Sequence, residues 1–273
     1  MAKQVVLYPH HFDDYFIAYI KKNINESTSR TFIEYGYVDG NIKVYAAIDY
    51  VVSGFLIGDY KANTAFYESC GLPYYVIKVT RKKKALQYQI IRTNSSAKVQ
   101  YEDFKSNFYS TNAIRLGAKL SEDYWYHWLK FIRTGSSLYQ QTCSNVTYTL
   151  HKGNTLVDIV AYRHQALNTD WYMTDIDAVV YDNLRHPIKA VLLEVKRSNN
   201  GYINNNISQD AVYDWLVKNS KFKKVNAYKV SYLTHSNKII SIQIDKKYGG
   251  HMKGLPCKFN SPLDFIFFVY DML

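Results

Sequence analysis

Only three cysteines occur in the 273 residues, Cys70, Cys143 and Cys257, widely spaced and without a CxxC pair. A scattered, odd set excludes a disulfide scaffold and a cysteine zinc cluster, and it points to a reducing interior, so a cytoplasmic location is expected. Long apolar runs are missing as well. Stretches such as Phe265–Tyr270 fall far short of a membrane-spanning helix, and no apolar signal segment follows Met1, so no membrane partner is expected. The eight histidines form no HxxxH or HExxH pattern, which argues against a zinc hydrolase, and no GxxxxGK[ST] loop marks an ATP motor.

What is present is an ordinary globular composition, 47% hydrophobic and 21% charged, with a basic excess of 34 Lys and Arg over 23 Asp and Glu, a net charge of +11. Such a balance favours polyanionic partners, nucleic acid first among them. The 27 tyrosines are spread through strand-like and helix-like text and read mainly as packing residues. An Asn-, Lys- and Tyr-rich composition suggests a low-GC source such as a phage, another virus or a mobile element.

The periodicity predicts an α/β protein with mixed sheets, divided into 1–112 and 113–273. In the first part a helix Asp13–Lys22 precedes strand-like Thr31–Val38, Ile42–Val52 and Phe55–Tyr60, a helix Ala62–Cys70, and strands Tyr74–Thr80 and Ala85–Arg92. The second part opens with a helix Ser121–Arg133, Ser121 being a plausible N-cap. Strand-like segments Asn145–His151, Thr155–Leu167 and Trp171–Tyr181 follow, then the buried strand Ile188–Lys196, a helix Ser208–Ser220, and strands Val225–Leu233 and Lys238–Ile244.

Chemistry concentrates in TDIDAVVYD (Thr174–Asp182) and KAVLLEVKR (Lys189–Arg197). An antiparallel hairpin turning at Arg185–His186 sets Asp177 opposite Glu194 and Asp175 opposite Lys196, and alternation puts Glu194 and Lys196 on one face. Adjacent carboxylates in a partly dry site repel, and a hard divalent cation between them relieves the repulsion. Lys196 could then hold or deprotonate an attacking water, an arrangement suited to phosphodiester hydrolysis.

Asp177 with apolar Ala178–Val180 behind it, followed by Glu194-Val195-Lys196 as a (D/E)xK element, resembles the PD-(D/E)xK, restriction-endonuclease-like nuclease superfamily. Gln209 and Tyr213 fit the QxxxY pattern of its RecB-like members, and they share one helical face. The resemblance covers roughly 121–244 and implies an αβββαβ core that cuts DNA, or RNA, as an Mg²⁺- or Mn²⁺-dependent endonuclease. It implies Asp177, Glu194 and the Val195 carbonyl as metal ligands and Lys196 as the catalytic lysine. Ile176 stands where the family has proline, which leaves Asp175 open as the ligand instead. Glu122 is the candidate acid from the first helix, and His164 a candidate for the upstream histidine of RecB-like enzymes.

The first half echoes the second. Ala46–Val52, a Ser53-Gly54 turn and Leu56–Lys61 give Asp49, Asp59 and Lys61 as a possible second site, with Asp49 facing Asp59 across a tight hairpin. The helices Asp13–Lys22 and Glu122–Phe131 also look alike, so the first half reads either as a diverged, degenerate copy of the second or as coincidence. Arg81, Lys82, Lys83 and Lys84, with Lys221, Lys223 and Lys224, are candidates for tracking phosphates. A homodimer would supply two sites for cutting both strands. The rival class is a non-catalytic nucleic-acid-binding or assembly protein that retains a nuclease-like fold.

Overall fold

The computed structural model describes residues 3–7, 31–52, 60–82, 85–97, 117, 119–134, 146–150, 172–183, 185–197, 207–235 and 238–273. The expected helix 13–22, Asp59, Lys83, Lys84, Cys143 and His164 lie outside them.

The strands are β1 (Lys3–Leu7), β2 (Thr31–Val38), β3 (Asn41–Val52), β4 (Tyr74–Lys82), β5 (Ala85–Thr93), β6 (Lys119–Ser121), β7 (Val146–Leu150), β8 (Tyr172–Ile176), β9 (Ala178–Tyr181), β10 (Lys189–Arg197), β11 (Lys224–His235), β12 (Lys238–Tyr248) and β13 (Lys258–Phe259). The helices are α1 (Tyr60–Ser69), α2 (Glu122–Thr134), α3 (Ile207–Asn219) and α4 (Pro262–Met272). They build a mixed sheet in the order β6-β5-β4-β3-β2-β8, a second mixed sheet in the order β13-β12-β11-β10-β9, and a parallel pair β1-β7.

Local chemistry explains the turns. β2 and β3 are joined by Asp39-Gly40, both at positive φ (51° and 76°), the two-residue loop whose twist matches a hairpin. The longer β9–β10 connection is held by side chains. The Asp182 carboxylate accepts the amides of Ile188 and Lys189, and the Asn183 carbonyl accepts those of Arg185 and His186. Ser121 caps α2 by accepting the Tyr124 amide, and Ser261, followed by Pro262, caps α4 through the Leu263 amide.

Two compact units emerge, and neither is continuous in sequence. One gathers the described residues of 1–10, 32–57 and 71–173, the other those of 11–31, 58–70 and 174–273. This differs from the expected split at 112/113. Helix α2 packs on β3, β5 and β6, with Trp125, Trp128 and Leu129 in the core of the first sheet, so it closes the first unit instead of opening the second. Helix α1, which links β3 to β4 in sequence, groups with the second unit. There Asn63 accepts the Tyr181 phenol at 2.7 Å, and Phe66 packs edge-on against Tyr181 and Phe222.

Apart from β8, which adds a sixth strand beside β2, the two sheets share one topology. Each runs antiparallel hairpin, helix, parallel strand, antiparallel strand, short edge strand and closing helix: β2-β3-α1-β4-β5-β6-α2 and β9-β10-α3-β11-β12-β13-α4. The registers match around the site positions, although the shift between Glu34 and Tyr35 and that between Leu233 and Thr234 each occur in one copy alone. Phe32 pairs Ile48 as Ala178 pairs Leu193; Ile48 pairs Tyr75 as Leu193 pairs Tyr228. A register shift falls between Val76 and Ile77 in one copy and between Lys229 and Val230 in the other, the same place. Even the core contact repeats, Tyr75 edge-on to Trp128 and Tyr228 edge-on to Phe268.

Candidate active site

Register delivers the first part of the expected constellation. β9 and β10 pair through Ala178–Leu193, so Asp177 and Glu194 are the next residues along the same ladder. Ala178, Val180, Val191, Leu193 and Val195 point into the core of the second sheet, and alternation turns Glu194 to the other face. Asp177 itself belongs to neither β8 nor β9, and its carboxylate accepts the Val195 amide at 2.7 Å. This bond clamps the acid onto the (D/E)xK strand.

Glu194 is fully buried and takes three partners. Lys196 Nζ lies 3.4 Å and Lys229 Nζ 3.7 Å from its Oε1, while the Tyr248 phenol contacts Oε2. Asp177, Glu194 and Lys196 therefore gather at one end of β10. Pairing across the sheet extends this row, since Glu194 stands beside Lys229 on β11 and Lys229 beside Lys246 on β12.

Helix α3 covers the row with the QxxxY pair. Gln209 and Tyr213 are buried; the Tyr213 phenol lies 3.2 Å from the Leu193 carbonyl and 3.4 Å from that of Asp175, and the Gln209 amide donates to the Asp175 carbonyl at 3.5 Å. Burial, and next the negative charges of Asp177, Glu194 and Asp175, hold the Tyr213 phenol well above its ordinary pKa. Tyr248 stacks on Tyr213 with ring centroids 4.8 Å apart, and its phenol is likewise raised by burial and by Glu194.

Several members of this site went unread in the sequence. Asp210 lies 2.9 Å from the Tyr248 phenol, 2.8 Å from Lys246 Nζ and 3.8 Å from Lys229 Nζ. The Tyr248 phenol, with one proton to donate, lies between the Glu194 and Asp210 carboxylates and within hydrogen-bond distance of both. Asp245 accepts from Ser231 at 3.1 Å, and burial raises its carboxyl against the opposing pull of Ser231 and Lys229. A lysine interrupting the apolar strand text of β11 was the available signal for Lys229.

Other expectations meet a different geometry. Asp175 does not face Lys196, because the strand breaks at Asp177 and β8 joins the first sheet, paired with β2. Glu122 lies on α2 in the first unit, where its carboxylate is 3.5 Å from the Tyr126 phenol. Of the hairpin drawn for Asp49, Asp59 and Lys61, the described part is arranged differently: β3 pairs with β2 on one side and β4 on the other, and Lys61 is an exposed residue of α1, while Asp59 lies outside the described residues. Asp49 is buried and accepts the Tyr74 phenol at 2.5 Å. Arg81 and Lys82 end β4; Lys221, Lys223 and Lys224 are exposed where α3 leads into β11.

Two carboxylates and a peptide carbonyl, all hard oxygen donors, suit Mg²⁺ or Mn²⁺ in kind, since such ions commonly take one or two protein carboxylates. Among the described residues no group of three or more His, Cys, Asp or Glu side chains forms a metal cluster, so an ion here would rest on this smaller set.

No protein-family model and no curated protein matches the chain. One solved structure, the crystal structure of a sex pheromone staph-cAM373 precursor, aligns over 91% of this chain and 83% of its own at 11% identity. Its TM-score of 0.13 carries no argument about fold or function.

Proposed function

We propose that the second unit is a divalent-metal-dependent nuclease of the restriction-endonuclease-like type, acting on DNA. The observation that carries this reading is the clamp of Asp177 onto the Val195 amide beside a Glu194 that pairs with Lys196. The order hairpin, helix with QxxxY, parallel strand also agrees with the core that the sequence resemblance implies. The matching topology of the first sheet supports its reading as a diverged copy.

Asp177, Glu194 and the Val195 carbonyl would hold the ion, which when bound offsets charge on the phosphate. The chain's own residues do the rest. The Val195 amide fixes the Asp177 carboxylate; the Tyr248 phenol and two ammonium groups fix Glu194. Lys196, with its side chain 36% exposed, reaches solvent where a water can be held and relieved of a proton. Gln209 and Tyr213 brace the Asp175 carbonyl and so the chain leading into Asp177.

Supercoiled plasmid incubated with Mg²⁺, Mn²⁺ or a chelator provides the test. Metal-dependent nicking that Glu194→Ala lowers by about 100-fold or more is expected. Chelator-insensitive nicking, or equal activity in the variant, contradicts the site.

A further inference from the structure

Resting on the reading of Asp177, Glu194 and Lys196 as a hydrolytic site, we infer that Lys229 is a positioning residue of that site, its buried ammonium setting how Glu194 is oriented and how strongly this acid holds a divalent ion. Lys229 is 2% exposed and lies 3.7 Å from Glu194 and 3.8 Å from Asp210. Taking an ammonium out of water costs several kcal/mol unless it is paired, so a buried lysine needs a reason.

The repeated topology supplies an internal control. Glu194 pairs Lys229 across β10–β11 as Asp49 pairs Val76 across β3–β4, with the same register shift following each. Val76 is fully buried, so this strand position and its bulge form without a lysine. The fold does not demand the charge. The other site positions diverge in step: Thr31, one before Phe32, stands where Asp177 precedes Ala178; Asp49 replaces Glu194; and Val51 replaces Lys196. The lysine at 229 occurs in the copy that carries the acid pair and the (D/E)xK lysine.

A cation beside a ligand carboxylate weakens that carboxylate's hold on a metal and at the same time fixes its orientation. Removing it therefore separates two quantities that a simple structural defect would lower together. The test uses the full chain as Lys229→Met and Lys229→Arg. Free Mn²⁺ is read by electron paramagnetic resonance, nicking of supercoiled plasmid by gel, and folding by the melting midpoint. In Lys229→Met the half-saturating Mn²⁺ concentration is expected to fall by about threefold or more, while nicking falls by about tenfold or more. Lys229→Arg should recover both toward wild type. Wild-type values for both readouts in Lys229→Met overturn the inference, as does weaker Mn²⁺ binding together with a lowered midpoint. A wild-type chain that binds Mn²⁺ but nicks nothing overturns the hydrolytic reading alone, and the Mn²⁺ shift still decides the role of Lys229. A wild type that binds no Mn²⁺ overturns both.

Discussion

Glu194 accepts a phenol and faces two ammonium groups while fully buried, and each neighbour sits on a different element: Tyr248 on β12, Lys196 on β10, Lys229 on β11. Losing one of them exposes the carboxylate to the cost of an under-satisfied charge. Tyr248→Phe removes the proton shared with Asp210 and should lower the unfolding free energy by about 1–3 kcal/mol, measured by urea denaturation; an unchanged midpoint would mean that the bridge is not formed. Cys70 is a second residue-scale case. Burial pushes its thiol up to about 11 from an ordinary 9.0, against smaller opposing effects of Ser69 and Ser220. The folded chain holds this proton more tightly than the unfolded one. Its contribution to stability is present below pH 9 and is lost as pH rises towards about 11. Iodoacetamide at pH 8 should therefore label exposed Cys257 and spare Cys70 until the chain is denatured, as read by peptide mapping.

Among the elements, β12 ends at a position that backbone geometry defends. Gly249 follows Tyr248 at φ +67°, a Cβ there would meet Val217 Cγ1 at 2.7 Å, and its amide donates to Asp214 at 2.7 Å. Gly249→Ala should cost about 1–3 kcal/mol and loosen Tyr248, visible as a lower melting midpoint. The β9–β10 register, the α3 helix and the acid-acid-lysine gathering were legible because alternation, hairpin counting and helical spacing are local rules. The break at Asp177 was not, since an apolar strand reads the same whether it stays in one sheet or changes sheets. Nor were the neighbours of β3 legible: β2 and β4 occupy both its edges, a fact set by pairings far along the chain. Lys229 and Tyr248 reach Glu194, and Asp210 reaches Tyr248, from separate elements, so no spacing rule joins them.

At the scale of the whole molecule, a net charge of +11 and two sheets of one topology frame the function. Among the basic candidates, Lys221, Lys223 and Lys224 are exposed where α3 leads into β11. If they track phosphates, replacing all three by Ser should weaken duplex DNA binding and flatten its dependence on salt, each lost contact removing about 0.9 from the log–log slope. An unchanged slope would remove them from the interface. The matching registers also assign one acid pair to each chain, because Thr31 and Asp49 stand where Asp177 and Glu194 do. Isothermal titration of the full chain with Mn²⁺ tests that assignment most directly. About one ion per chain is expected, abolished by Asp177→Asn and retained in Asp49→Asn. Retention of the ion in Asp177→Asn, or its loss only in Asp49→Asn, would contradict it.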